Sequence, residues 1–293
     1  MHLVDAKGLL SGGGGMPGMN IYRGCTHGCI YCDSRSACYG FTHPFEDVEV
    51  KRNAPALLEA ALRRKRRRCM IGTGSMSDPY LPCEEELGLT RKCLEILLRY
   101  GFGAAILTKS DRILRDAELL EAINRESKCV VQMTLTTCDD ALCRIVEPGV
   151  CPTSRRLEVL EEMRRRGIPT FVWLAPLLPW INDTRENVEA ILNDCVRVGV
   201  RGVVCFDMGM TLREGDREYY YAALDRHFPG LKERYVRRYG EAYELPSPNR
   251  YELAELFESF CTEHGLLYRP EDCFSWIADF PDKQEQFSLF DGV

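Results

Sequence analysis

The sequence contains no run of about 18 apolar residues, so no membrane-spanning helix is expected. Its first residues, MHLVDAKGLLSGGGGMPGM, lack the charged-then-apolar pattern of a secretory signal, and the expected location is the cytoplasm. There is no excess of positive charge. The formal net charge of −6 argues against a surface coated for polyanions and leaves room only for local basic patches. No internal repeat is evident, and low complexity is confined to the short Gly12–Gly15 run. Cysteine, by contrast, is abundant, at 15 of 293 residues. In a reducing compartment such thiols are core residues, metal ligands or catalytic groups more often than disulfides. Cys93, Cys195 and Cys261 fall on apolar faces of predicted helices and Cys205 ends an apolar strand, so these four read as core thiols.

Hydrophobic periodicity alternates between strand and helix. GMNIYR (18–23) reads as a first strand running into a cysteine-rich loop, and 55–66 as a helix with Asn53 as cap and Pro55 in its first turn. Strands are predicted at 69–73, 103–108, 130–136, 170–175 and 202–207. Helices are predicted at about 84–99, 116–126, 153–166 and 184–198, the last opened by Asp183 and Glu186 at capping-box spacing. Apolar strands alternating with amphipathic helices imply a parallel sheet covered by helices. Six strands fall short of the eight of a complete TIM barrel, so an open or partial barrel is expected. The expected division is 1–210 as the barrel, 211–280 as a helical C-terminal extension without further alternation, and 281–293 as a flexible tail.

Residues 25–32, CTHGCIYC, follow the first strand directly. Cys25, Cys29 and Cys32 offer three closely spaced thiolates that can ligate three irons of a cubane, leaving the fourth iron without a protein ligand. An open coordination position is what a reactive metal centre requires. Gly24 and Gly28 let the loop bend around it. The competing reading is a zinc knuckle, in a non-catalytic zinc- or cluster-binding module, with His27 or Cys38 as fourth ligand; the second ligand pair usual for zinc is missing.

The Cys-x3-Cys-x-aromatic-Cys motif, with Tyr31 as the aromatic, resembles the signature of the radical S-adenosylmethionine (SAM) superfamily. The resemblance implies a partial (β/α)6 TIM-type barrel and a [4Fe–4S] cluster whose open iron binds SAM. It also implies a reductant such as flavodoxin or ferredoxin, and reductive cleavage of SAM to a 5′-deoxyadenosyl radical, with Tyr31 near the adenine. A narrower likeness is to the spore photoproduct lyase-like branch, carried by NIYRGCTHGCIYCDSRSACY, SMSDPYLPCE (75–84), ILTKSD (106–111), EPG (147–149) followed by Arg155–Leu157, and APLLPWIND (175–183). On this likeness Ser77 matches a turn serine that contacts SAM, Lys109 a lysine that meets the SAM carboxylate, as suits an ammonium, and Thr134 a residue near SAM. One position departs: the lyases place a hydrogen-donating cysteine where this chain has Ser75, and an O–H bond is too strong for that task. Cys138, Cys143 and Cys151, after the fourth strand, are candidate substitutes; they also read as inert loop thiols or ligands of a second cluster. Cys38 and Cys83 share that ambiguity.

RRKRRR (63–68) reads either as a helix C-terminus favoured by the macrodipole or as a nucleic-acid contact. In a β/α barrel it falls on the face opposite the active site, as do Arg164, Arg165 and Arg166. Gln286–Phe290, QFSLF, resembles the tail motif that docks bacterial replication and repair proteins onto the sliding clamp. The expected function is thus a lyase-like radical SAM enzyme acting on nucleic acid, in DNA repair or modification, with a peptide or small metabolite as the alternative substrate.

Overall fold

The computed structural model describes residues 1–12 and 15–281. The chain opens with β1 (His2–Val4), β2 (Leu10–Ser11), β3 (Gly18–Met19) and β4 (Tyr22–Arg23), then β5 (Glu49–Lys51) and α1 (Ala54–Arg64). Alternation follows: β6 (Met70–Thr73), α2 (Glu84–Leu87), α3 (Leu89–Tyr100), β7 (Gly103–Thr108), α4 (Ala117–Glu126), β8 (Cys129–Thr134), α5 (Asp140–Val146), α6 (Thr153–Arg165), β9 (Thr170–Trp173), α7 (Arg185–Val198) and β10 (Gly202–Val204). The remainder comprises β11 (Gly209–Thr211), α8 (Asp216–His227), α9 (Leu231–Tyr239), β12 (Glu244–Pro246), α10 (Arg250–Glu263) and α11 (Pro270–Ala278).

One sheet organises the molecule, in the order β10-β9-β8-β7-β6-β3-β2. β3 and β6 to β10 run parallel and β2 adds an antiparallel edge. The two edge strands do not meet, so this is the open, partial barrel that the alternation predicts. Both faces are covered, which is why the strands are predominantly apolar rather than alternating. On the outer face Ile71, Ile106, Val131 and Val172 pack with Leu58, Leu94, Leu160 and Val188 of the helices. On the inner face Met70, Ala105, Val130, Phe171 and Val204 pack with Cys273 and Ile277 of α11. The C-terminal extension therefore returns its last helix to the inside of the barrel. Cys93, Cys195, Cys205 and Cys261 are buried in the core, as their apolar settings predict.

Several local expectations are revised. The first strand divides: β3 pairs with β6 in the main sheet, while β4 pairs antiparallel with β5 in a separate sheet with β1. The chain thus changes sheet immediately before the cysteine loop. The helix expected over 84–99 breaks at Gly88 (φ +58°), and the buried Glu84 carboxylate accepts from the Leu89 and Thr90 amides, capping α3. Asn53 does not cap α1; its amide side chain holds both backbone groups of Ala6. α7 is capped by Thr184, which accepts from Asn187 N at 3.2 Å, while Asp183 accepts from Trp180 N and Ser247 Oγ. The extension also contains a strand, β12, paired antiparallel with β11.

Candidate active site

The cysteine loop is held in shape by backbone constraints at both ends. Gly24 has φ +87°, and a Cβ there would lie 2.4 Å from the Phe45 carbonyl, so only glycine fits. The loop is also clamped from the end of α5 and the segment after it: Ile30 N donates to Val146 O at 2.9 Å, and Gly149 N donates to His27 O at 2.8 Å. The Ser77 hydroxyl donates to Gly24 O at 2.6 Å, tying the loop to the turn that follows β6.

That turn is built around Asp78. Its carboxylate accepts from Tyr80 N, from Thr108 Oγ1 at 2.7 Å and from Lys109 N at 2.8 Å, and lies 3.5 Å from His27 Nδ1. One buried side chain thereby fixes the end of β7, the residue after it and the cysteine loop relative to one another. Beneath lies a second network. The Tyr31 hydroxyl donates to Glu147, whose other oxygen pairs with Arg156 Nη2 at 2.6 Å, and Arg156 Nη1 donates to Thr134 O at 2.9 Å.

These two networks frame a cavity of about 100 Å³ at the C-terminal ends of the strands. Cys25, Cys29, Cys32, Tyr31, Ser77, Lys109 and Thr134, scattered over 110 positions of sequence (25–134), all line it. So do His27, Ser75 and Asp78. Cys138, Cys143 and Cys151 are not among its lining residues. Cys138 is exposed; Cys143 is buried against Glu147 and Arg156; the Cys151 thiol points at the Lys109 carbonyl, 3.3 Å away. Cys38 lies beside Arg213, away from the cavity. RRKRRR lies at the opposite end of the sheet, where Arg63 and Lys65–Arg68 border a cleft of about 960 Å³ with Phe102 and Pro281. Gln286–Phe290 lies outside the described residues.

Burial and neighbouring charges set the protonation of the groups around the cavity. Burial pushes the Cys25 thiol up to about 12 and that of Cys29 well above its ordinary value, so binding a metal here must displace protons. Burial works against the Lys109 charge too, but Cys29, Glu147 and Cys32 outweigh it and raise its pKa. Burial favours a neutral Glu147, and the Arg156 and Lys109 cations overcome it, holding the carboxylate ionised. Burial lowers the His27 pKa, against the pull of Asp78, and its Nε2 is buried without a partner among the described residues.

The sequence pattern of the Radical SAM superfamily matches residues 19–195. The chain belongs to the radical SAM superfamily. Members use a [4Fe–4S] cluster and SAM, and need an electron donor such as flavodoxin or ferredoxin. The donor set fits that group: three thiols from one loop and no fourth thiol in the lining, which leaves one iron of a cubane free of protein sulfur. An uncharacterized protein of Mycobacterium tuberculosis is 32% identical over 265 residues, covering 86% of this chain and 76% of that protein. The radical SAM Nα-GlyT isomerase of Pseudomonas phage M6 is 22% identical over 278 residues, 89% of this chain and 54% of the isomerase. Among solved structures, a spore photoproduct lyase variant with bound SAM and dinucleoside spore photoproduct shares the fold. It has a TM-score of 0.60 and 13% identity, over 86% of this chain and 75% of the lyase. Asp78, Gly149 and Arg156 stand inside the motif blocks, yet only their contacts in the fold reveal that they position the cysteine loop and Thr134. Among the described residues no helix is long and apolar enough to cross a membrane.

Proposed function

We infer that this radical SAM enzyme acts on nucleic acid, taking a hydrogen atom from a nucleotide presented at the open end of the barrel. The observation that carries the chemistry is the gathering of three loop thiols, Lys109, Ser77 and Thr134 around one cavity at the strand ends, where barrel enzymes bind their substrates. The nucleic-acid part is supported by the branch-specific motif blocks, and by the fold shared with a lyase that was solved with a dinucleoside.

Cys25, Cys29 and Cys32 hold the cluster in this reading. Cluster and SAM together supply a hydrogen-abstracting 5′-deoxyadenosyl radical after one-electron reduction. Lys109 binds the SAM carboxylate with its ammonium, while Ser77 and Thr134 complete the polar lining. Tyr31, tied through its hydroxyl to Glu147, presents its ring beside Lys109, whose Nζ lies 5.9 Å from the ring centroid. Ser75 lines the cavity where the lyases carry their hydrogen donor, so the lyases' own reaction is not assigned here. Of the three candidate replacement thiols, Cys151 is favoured, because its sulfur contacts the backbone of a cavity-lining residue. Docking of Gln286–Phe290 on the sliding clamp is part of the same reading; the tail peptide is expected to bind the clamp and to lose binding with Leu289→Ala/Phe290→Ala.

The test follows a deuterium label. Anaerobically reconstituted protein, SAM and dithionite are incubated with oligonucleotides deuterated in base or sugar, and 5′-deoxyadenosine is analysed by mass spectrometry. Transfer of label supports the reading. Production of 5′-deoxyadenosine with label acquired only from peptides or small metabolites would overturn the nucleic-acid part and leave the radical chemistry standing.

A further inference from the structure

In a parallel sheet, register partners direct their side chains to the same face. Thr134 of β8 is the register partner of Trp173 of β9, and Trp173 is the partner of Val204 of β10. Val130, Phe171 and Val204 belong to the inner-face cluster, so the even spacing along β8 and β9 places Thr134 and Trp173 on that same inner face. The layer that lines the cofactor cavity at Lys109 and Thr134 therefore continues sideways, through Trp173, to the end of β10. Phe206 stands there, two residues past Val204.

Phe206 is 60% exposed, unusual for a ring so well supported. Phe274 of α11 stacks on one of its faces, with centroids 5.9 Å apart and planes 25° from parallel. Trp173 meets it edge-on at 5.6 Å and 66°. Trp173 is itself locked, its Nε1 donating to Gln132 Oε1 at 2.9 Å, and its other ring contact is Phe274 at 5.8 Å. A scattered exposed phenylalanine needs no explanation. This one is pinned on a rigid aromatic bed at the same end of the sheet as Thr134, two strands away, and borders a separate cleft of about 470 Å³ with Met208, Phe257 and Arg269. Leaving such a surface in water is unfavourable, and a flat ligand laid on it recovers that free energy together with the preference of rings for offset stacking.

We propose that Phe206, bedded on Phe274 and flanked by Trp173, is the seat on which a nucleobase stacks so that its nucleotide faces the cofactor cavity. This rests on the nucleic-acid reading above and names the group that the site grips. Every base offers a π-face, so the seat gives affinity without sequence preference. It also explains why α11 returns to the inside of the barrel: Phe274 supports the seat from below while Cys273 and Ile277 anchor the helix.

The test uses full-length, cluster-reconstituted protein with SAM and a fluorescent single-stranded thymidine oligonucleotide, with an abasic strand and a tryptophan-containing peptide as comparison probes. Phe206→Leu keeps an apolar side chain but removes the ring, and is expected to weaken oligonucleotide binding by roughly 5- to 150-fold, the range of one base–aromatic stack. Phe206→Tyr restores the ring and is expected to restore affinity, which a merely structural role for the bulk of the side chain would not require. The abasic strand is expected to bind wild type and Phe206→Leu alike. Equal oligonucleotide binding by wild type and Phe206→Leu would overturn the seat while leaving the nucleic-acid reading in place. Binding of the peptide and not the oligonucleotide would overturn both.

Discussion

Arg156 and Glu147 form an ion pair, Nη2 to Oε2 at 2.6 Å, with neither side chain exposed to solvent. The pair joins two halves of the site, since Glu147 receives the Tyr31 hydroxyl and Arg156 reaches the Thr134 carbonyl. Removing one member strands a buried charge. Arg156→Met is therefore expected to destabilise the metal-free protein by about 3–5 kcal/mol in urea unfolding. The double replacement Glu147→Gln/Arg156→Met removes both charges of the pair and is expected to cost less than Arg156→Met alone. A larger loss in the double variant would contradict this account.

Gly149 stands 117 residues after Cys32 yet controls the cysteine loop. Its amide donates to His27 O, and a Cβ at this position would lie 2.6 Å from that oxygen. Gly149→Ala must push the loop away, and is expected to lower the iron retained per chain after reconstitution and to cost about 2 kcal/mol of stability. Gly8→Ala, where a Cβ meets nothing within 4 Å, serves as the control and is expected to keep wild-type iron content.

The three candidate thiols make separable predictions. If Cys151 returns the hydrogen atom, Cys151→Ala retains SAM cleavage but alters or diverts the substrate product, while Cys138→Ala behaves as wild type. Product analysis by mass spectrometry checks this. An unaltered product from Cys151→Ala would remove it from the reaction. Cys29→Ala is expected to abolish both cluster colour and 5′-deoxyadenosine.

Asp216 gives the fold a pH dependence away from the cluster. One carboxylate oxygen accepts from Arg213 N at 2.6 Å, while Oδ2 is buried without a partner among the described residues. Burial raises its pKa from 3.8 to about 6, against the pull of the Arg213 and Arg217 backbone amides. Because the folded value exceeds the unfolded one, ionising this group opposes folding, and stability from this source falls as pH rises from about 4 through 6. Asp216→Asn is expected to gain on the order of 1 kcal/mol at pH 8, with the gain vanishing near pH 4. Thermal unfolding across that range is the check, and a gain that did not shrink with falling pH would exclude this cause.

Much of the site could be read in the sequence because its chemistry is local. The thiols sit within eight positions, and their motif points directly to the cavity they line. The alternation gave the parallel sheet because strands covered on both faces must be apolar. Other features depend on distant partners. The Glu84 cap of α3 needed the break at Gly88, and Asn53 was diverted from capping by the backbone of Ala6, two residues past β1. Phe206 and Trp173 carry no motif; only register brings Trp173 beside Thr134, and only the return of α11 beds Phe206 against Trp173 and Phe274.

That return bears on the order in which the chain can mature. Met70, Val130 and Val204 leave the ribosome well before Cys273 and Ile277, which cover them. During synthesis the inner wall of the barrel must therefore stand uncovered by α11. Closure from within can come only after residue 277 has emerged. A nascent chain halted near residue 265 is expected to carry its cysteine loop and strands without their inner filling, exposed to chaperones and to misassociation.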